Sequence, residues 1–230
     1  MTRLVLIPGL GADAALFEIQ RASFPTLHVP PWIEPAPGET LVSYAARMAE
    51  RVPGGDDVIL GGVSFGGMLA CEMACLVRPR VLLLVATCTT PAAIPRWNRW
   101  LARLVVALPP RLLRPPRFAW PWIAWAFGAR EGRARAIVEH CVLAASPEFV
   151  QWGLSAILAW QPSGAPQMPI VHVHGARDRL IPAARVDATD VVPGAGHLLN
   201  VTHAAALDER IAGLLAAQRT ADSLREADTE

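Results

Sequence analysis

Ser64 stands in the pattern Gly62-Val63-Ser64-Phe65-Gly66, between the strand-like stretch Asp57-Val58-Ile59-Leu60 and a helix-like stretch from Met68 onward. A serine hydroxyl is a poor nucleophile until a histidine takes its proton, and that histidine needs a carboxylate to fix its tautomer. Two other segments offer those groups. "HGARDRLIP" carries Asp178, and "PGAGHLLN" carries His197. In chain order Ser64, Asp178 and His197 could form a nucleophile, an orienting acid and a proton carrier, which is the equipment of acyl transfer.

Those side chains need elements to bring them together. Short apolar runs at Leu4–Ile7, Leu27–Val29, Val58–Leu60, Val81–Val85, Ile170–Val173 and, more weakly, Asp190–Val192 suit strands buried on both faces. Helical patterns at Ala14–Gln20, Leu41–Val52, Met68–Val77 and Ala204–Ala217 alternate with them. Such alternation predicts βαβ units, a parallel sheet and helices on both of its faces. Ser64 then occupies a sharp strand-to-helix turn. Side chains two positions before and after it would collide with neighbouring backbone, so both positions are glycine. The bland alternative is a serine that merely caps the following helix. By chance roughly one chain in ten of this length carries the pattern, so it counts only with its context. Asp178 and His197 also follow strands, on the sheet edge where parallel sheets bind ligands.

With these ordered motifs the chain resembles the α/β-hydrolase fold superfamily, and within it the small esterase-like serine hydrolases, from Leu4 to about Ala217. The resemblance implies a serine hydrolase that cleaves carboxylic esters or thioesters of small to medium acyl groups. It implies Ser64 as nucleophile, His197 as general base and then acid, and Asp178 as orienting carboxylate. It also implies an oxyanion hole from the backbone N–H groups of Phe65 and Leu10, and no metal or organic cofactor. A lyase, an acyltransferase, a carbon–carbon hydrolase or a non-catalytic ligand-binding protein stands beside that reading, since one fold serves several chemistries. The chain departs from the family pattern in three ways. Pro8-Gly9 replaces the frequent His-Gly of the first loop. Asp178 and His197 are only 19 positions apart, which shrinks the intervening helix to a turn around Pro182–Val186 and leaves Asp187 and Asp190 as fallback acids. No antiparallel hairpin precedes the first strand. The expected sheet is therefore trimmed, mainly parallel and of about six strands.

The other histidines are weaker candidates. His203 follows no strand end. His172 and His174 share one face of a strand and suggest a packed or hydrogen-bonded pair, because no third metal ligand is evident. His28 and His140 carry no motif. Cys71, Cys75, Cys88 and Cys141 lack metal-ligand spacing and read as small buried hydrophobes.

More than eighty residues separate the runs at Val81–Val85 and Ile170–Val173, and they hold seven of the eight tryptophans. A structureless loop of that length is improbable, so a helical insertion is expected. The expected division is a hydrolase core at 1–88 and 166–217, a helical lid at 89–165 and a polar, fraying tail at 218–230. Trp97, Trp100, Leu101, Leu104, Val105 and Leu108 recur at helical spacing, with Arg96, Arg99 and Arg103 on another face. From Arg96 to Arg135 nine arginines face one acid, a local charge of +8 in a chain of net charge +1. The simplest reading is a lid with its apolar face on the sheet and its arginines in water. Two others stand beside it. Trp120, Trp122, Trp125 and Phe127 could line an apolar pocket above Ser64, or the segment could touch a membrane surface weakly.

Every one of the 21 basic residues is arginine, and the small net charge offers no global field for nucleic acid. A hydrophobic fraction of 53% describes a folded globular chain, and no uninterrupted apolar stretch has transmembrane length. The opening "MTRLVLIPGLG" reads as a first strand and not as a signal peptide, so a cytoplasmic location is expected, with a small-molecule ester or thioester as partner. Oligomeric state is left open.

Overall fold

The computed structural model describes residues 2–129 and 132–227. Strands β1 (Arg3–Ile7), β2 (Val58–Val63), β3 (Val81–Val85), β4 (Ile170–Gly175) and β5 (Asp190–Val192) form one sheet in the order β1-β2-β3-β4-β5, and every neighbouring pair is parallel. The expected sixth strand at 27–29 is reduced to a single bridge between His28 and Val5. Pro30 and Pro31 come directly after it and lack N–H groups, so no ladder can extend there.

Nine helices accompany the sheet among the described residues: α1 (Glu18–Ser23), α2 (Leu41–Ala49), α3 (Phe65–Val77), α4 (Arg96–Ala107), α5 (Trp120–Phe127), α6 (Gly132–Ala144), α7 (Pro147–Ala159), α8 (Leu199–Thr202) and α9 (Ala204–Ala227). The two-residue period of the strands splits the core. Val5, Ile7, Leu60 and Leu84 pack with α2 and α3, whereas Leu4, Leu6, Ile59 and Val85 pack on the other face with α8 and α9. Both sides of β1, β2 and β3 are buried, which explains their unbroken apolar runs. Between β4 and β5 the helix has shrunk to a single 3-10 turn at Ala183–Arg185.

The segment between β3 and β4 is helical, as its length demanded, and comprises α4 to α7. Its last two helices straddle the sheet edge. α7 sends Phe149 and Ala156 into the α2–α3 side of the core, and α6 sends Ile137 and Val138 into the opposite side. The two helices bend by 99° at the break between them.

Two sequence expectations need correction. No residue of α4 is buried, and Trp97 and Trp100 are 58% and 57% exposed. Its contact with α7 includes Gln151, whose side-chain amide donates to the Val106 and Leu108 carbonyls at the end of α4, both at 2.8 Å. The boundary expected at 217/218 falls inside α9, where buried Gln218 donates to the Asp56 carbonyl at 3.0 Å. Residues 228–230 of the expected tail lie outside the described residues. Among the described residues, no single helix is long and apolar enough to cross a membrane.

Candidate active site

Ser64 is the residue between the end of β2 and the start of α3, at φ +54° and ψ −118°. A non-glycine residue rarely adopts this conformation, and it persists only where surrounding structure enforces it. Enforcement is visible on both sides. A Cβ on Gly62 would lie 2.3 Å from the Gly66 carbonyl carbon, and one on Gly66 would lie 2.2 Å from the Ile7 carbonyl oxygen. The first turn of α3 is thereby pressed onto the end of β1. The Ser64 carbonyl accepts from Gly67 N–H at 2.9 Å and from Thr87 Oγ1 at 2.6 Å. Thr87, just beyond β3, thus clamps the turn, a role that nothing in its sequence neighbourhood announced. The Ser64 side chain makes no capping hydrogen bond, so the bland capping reading is not what the structure shows.

Asp178 follows β4 and is buried. Its Oδ1 accepts from the N–H groups of Leu180 and Ile181, both at 2.9 Å, and its Oδ2 lies 2.7 Å from His197 Nδ1. Burial alone would raise the carboxyl pKa. The His197 charge and hydrogen bond, helped by the Ile181 N–H, outweigh it and hold the group below the ordinary carboxylate range. With an acceptor fixed at Nδ1, the His197 tautomer that carries its proton there is favoured and Nε2 is left as the acceptor.

His197 is 2% exposed and sits in the loop after β5. The end of α5 supports it: Leu198 N–H donates to the Phe127 carbonyl at 3.1 Å, and the Phe127 ring meets the imidazole edge-on at 5.7 Å. Its Nε2 is buried with no partner among the described residues, so the resting arrangement contains no hydrogen bond between the imidazole and Ser64 Oγ. Ser64 and His197 nevertheless line one cavity of about 320 Å³. Leu10 and Phe65 line it too, and a Cβ on Gly9 would lie 3.8 Å from Ser64 Cβ. Phe65 opens α3, whose first N–H groups have no intrahelical acceptor.

The cavity wall is otherwise mainly apolar, with Leu16, Val138, Val142, Leu154 and Ile157 among its members and Arg114 as its only permanently charged side chain among the described residues. Of the four aromatic residues expected above Ser64, Phe127 alone reaches this wall. Trp120, Trp122 and Trp125 do not. Helical spacing explains the outcome for the last two: Ile123 and Phe127 share the inward face of α5, and Trp122 and Trp125 lie on the other, 72% and 37% exposed.

The fallback acids are elsewhere. Asp190 pairs with Arg210, and Asp187 is exposed at the edge of a separate cavity. His203 meets Thr202, and His140 meets Asp13 at 2.9 Å. His172 and His174 are buried and hydrogen-bonded to each other at 3.1 Å, and His174 reaches the Ile181 carbonyl at 2.8 Å, behind Asp178. Cys71 and Cys88 are buried thiols, each pushed up to about 12 by burial, whereas Cys75, expected inside, is exposed. Among the described residues, no three His, Cys, Asp or Glu side chains form a metal cluster.

Several solved structures share this architecture. An esterase from Thermogutta terrifontis superposes with a TM-score of 0.73 at 19% identity, covering 94% of this chain and 90% of its own. An N-acyl homoserine lactonase bound to N-butanoyl homoserine gives 0.71 at 17% identity, with 94% and 89% covered. A thioesterase of the prodiginine biosynthetic pathway in Streptomyces coelicolor gives 0.60 at 19% identity, with 91% and 89% covered. At such identities these likenesses concern the fold. No curated protein matches the chain in sequence. Residues 4–210 match the profile of the alpha/beta hydrolase family, and with the sheet and elbow just described the chain belongs to that family.

Proposed function

We propose that the protein is a serine hydrolase acting on carboxylic esters or thioesters of small to medium acyl groups. The observation that carries this reading is the buried His197–Asp178 pair, whose free Nε2 belongs to a residue lining the same apolar cavity as the strained Ser64. Catalytic hydrogen bonds are often unformed in unliganded enzymes and close in the substrate complex. Here that closing step is the hydrogen bond from Ser64 Oγ to His197 Nε2.

In the reaction, Ser64 Oγ attacks the acyl carbon while His197 Nε2 takes the hydroxyl proton and Asp178 holds the Nδ1–H. The carbonyl oxygen becomes an oxyanion that accepts hydrogen bonds from the Phe65 and Leu10 N–H groups. Collapse breaks the bond to the alcohol or thiol, which leaves with the proton from the imidazolium. Water, deprotonated by His197, then cleaves the acyl–serine ester. The helices between β3 and β4 act as the lid that shapes the acyl cavity. The esterase, lactonase and thioesterase among the structural neighbours are in keeping with acyl chemistry of this kind.

A fluorophosphonate probe tests the assignment. Labelling at Ser64, lost in Ser64→Ala, together with turnover of a p-nitrophenyl ester series, is expected. Labelling without ester turnover would move the protein to a lyase or transferase. No labelling of the folded protein would overturn catalysis by Ser64.

A further inference from the structure

Among the described residues, most of the large hydrophobic side chains left in water belong to the segment between β3 and β4. On α4, Trp97, Trp100, Leu101, Leu104 and the following Leu108 form one outward stripe, each at least 40% exposed. Arg96 and Arg103 run along one border of that stripe, with no ion pair among the described residues. The stripe does not stand alone. Asn98 of α4 donates to the carbonyls of Arg179 and Leu180, and the Arg179 guanidinium stacks 4.4 Å over Trp125 of α5. Trp125, one of the outward tryptophans of α5, is thereby linked to α4 through Arg179. Leu113 and Arg114, a few residues beyond α4, line the cavity that holds Ser64.

We propose that this face docks the protein on an anionic phospholipid surface, with the α4 stripe entering the headgroup boundary and the bordering arginines meeting lipid phosphates. An outward Trp/Leu stripe bordered by arginine is the composition of a helix that lies in a bilayer interface. Charge complementarity selects the occupant. Residues 89–129 contain six arginines and no acid, so a second copy placed face to face would repel. A soluble acidic partner would satisfy the arginines, yet it gives no reason for an exposed Trp/Leu stripe joined by a few residues to the wall of an apolar cavity. A bilayer gives one, because an apolar substrate dissolved in it would reach the cavity without crossing water. Docking of this kind does not depend on the hydrolytic chemistry proposed above.

Co-sedimentation with vesicles is the test. Phosphatidylcholine vesicles containing about one third phosphatidylglycerol should carry the protein down at low salt, and pure phosphatidylcholine vesicles should not. High salt should release it. Each basic residue near such a surface contributes about fivefold to partitioning, so Arg96→Gln with Arg103→Gln should weaken binding by about 25-fold. Trp97→Ala should weaken it by about tenfold. These side chains point outward and off the cavity wall, so thermal melts and Ser64 labelling should match wild type. Ser64→Ala should bind vesicles normally, which separates this proposal from the catalytic one. Equal binding by the arginine pair variant, or no binding to anionic vesicles, would overturn the proposal. Retention on heparin without vesicle binding would also overturn it, in favour of a polyanionic macromolecule.

Discussion

Ser64 and Gly66 carry opposite forms of one constraint. Ser64 holds a positive φ that a side chain disfavours, at a cost of about 1–3 kcal/mol, so Ser64→Gly should abolish ester turnover while raising thermal stability. The net gain, after the extra unfolded-state entropy of glycine, should be about 1 kcal/mol, read as a melting point roughly 2–4 °C higher. Gly66→Ala should do the reverse, because its Cβ would press on the Ile7 carbonyl and cost at least about 1–3 kcal/mol. Asp178 offers a third test. Asp178→Asn should keep the fold and lower kcat by about 10⁴-fold in steady-state ester kinetics, because an amide can favour the wrong imidazole tautomer. The lowered carboxyl pKa of Asp178 stabilises the fold above its unfolded value of 3.8, and that contribution fades as pH falls through the lower folded value.

At the scale of elements, β4 does two jobs: it ends in the Asp178 loop and buries His172 and His174 in its interior. Burial, helped by the neighbouring His174, depresses His172 from 6.5 to about 4, and burial also lowers His174. A histidine held neutral in the fold but protonated in the unfolded chain stabilises the protein fully above the unfolded value. That contribution is lost as pH falls towards the folded one. For His172 the loss is on the order of 3 kcal/mol across this window. Thermal melts should therefore drop by roughly 5–10 °C between pH 7 and pH 4.5, and His172→Gln should flatten that slope. The existence of β4 and the pairing of its histidines were legible from an apolar run with His at alternate positions. The failed strand at 27–29 shows the limit of such reading, because a run as short as Leu27-His28-Val29 extends into a strand only if the next positions can still donate hydrogen bonds.

Across the whole molecule, the cavity beside Ser64 is assembled from parts distant in sequence: Leu16 near α1, Val138 and Val142 on α6, Leu154 and Ile157 on α7. No local pattern identifies such a set. Val142→Trp should fill part of the cavity and shift the chain-length optimum of kcat/KM towards shorter p-nitrophenyl esters, with little change for the acetate. A uniform loss across the series would place the substrate's acyl group elsewhere. The tryptophans misled for a related reason. Periodicity defines a face of α5 but not which way it turns, and the inward position went to Phe127 because that face also packs Ile123 against the core.

The parallel sheet, the glycine-flanked turn at Ser64 and the loop positions of Asp178 and His197 came from sequence alone, because they depend on local sterics and on the period of buried strands. Which helix faces met water, which side chains walled the cavity, and that Thr87 and Phe127 brace the site were decided only in three dimensions. Those outcomes depend on contacts between segments far apart in the chain, where several packings satisfy the same pattern and only volume and hydrogen bonding select one.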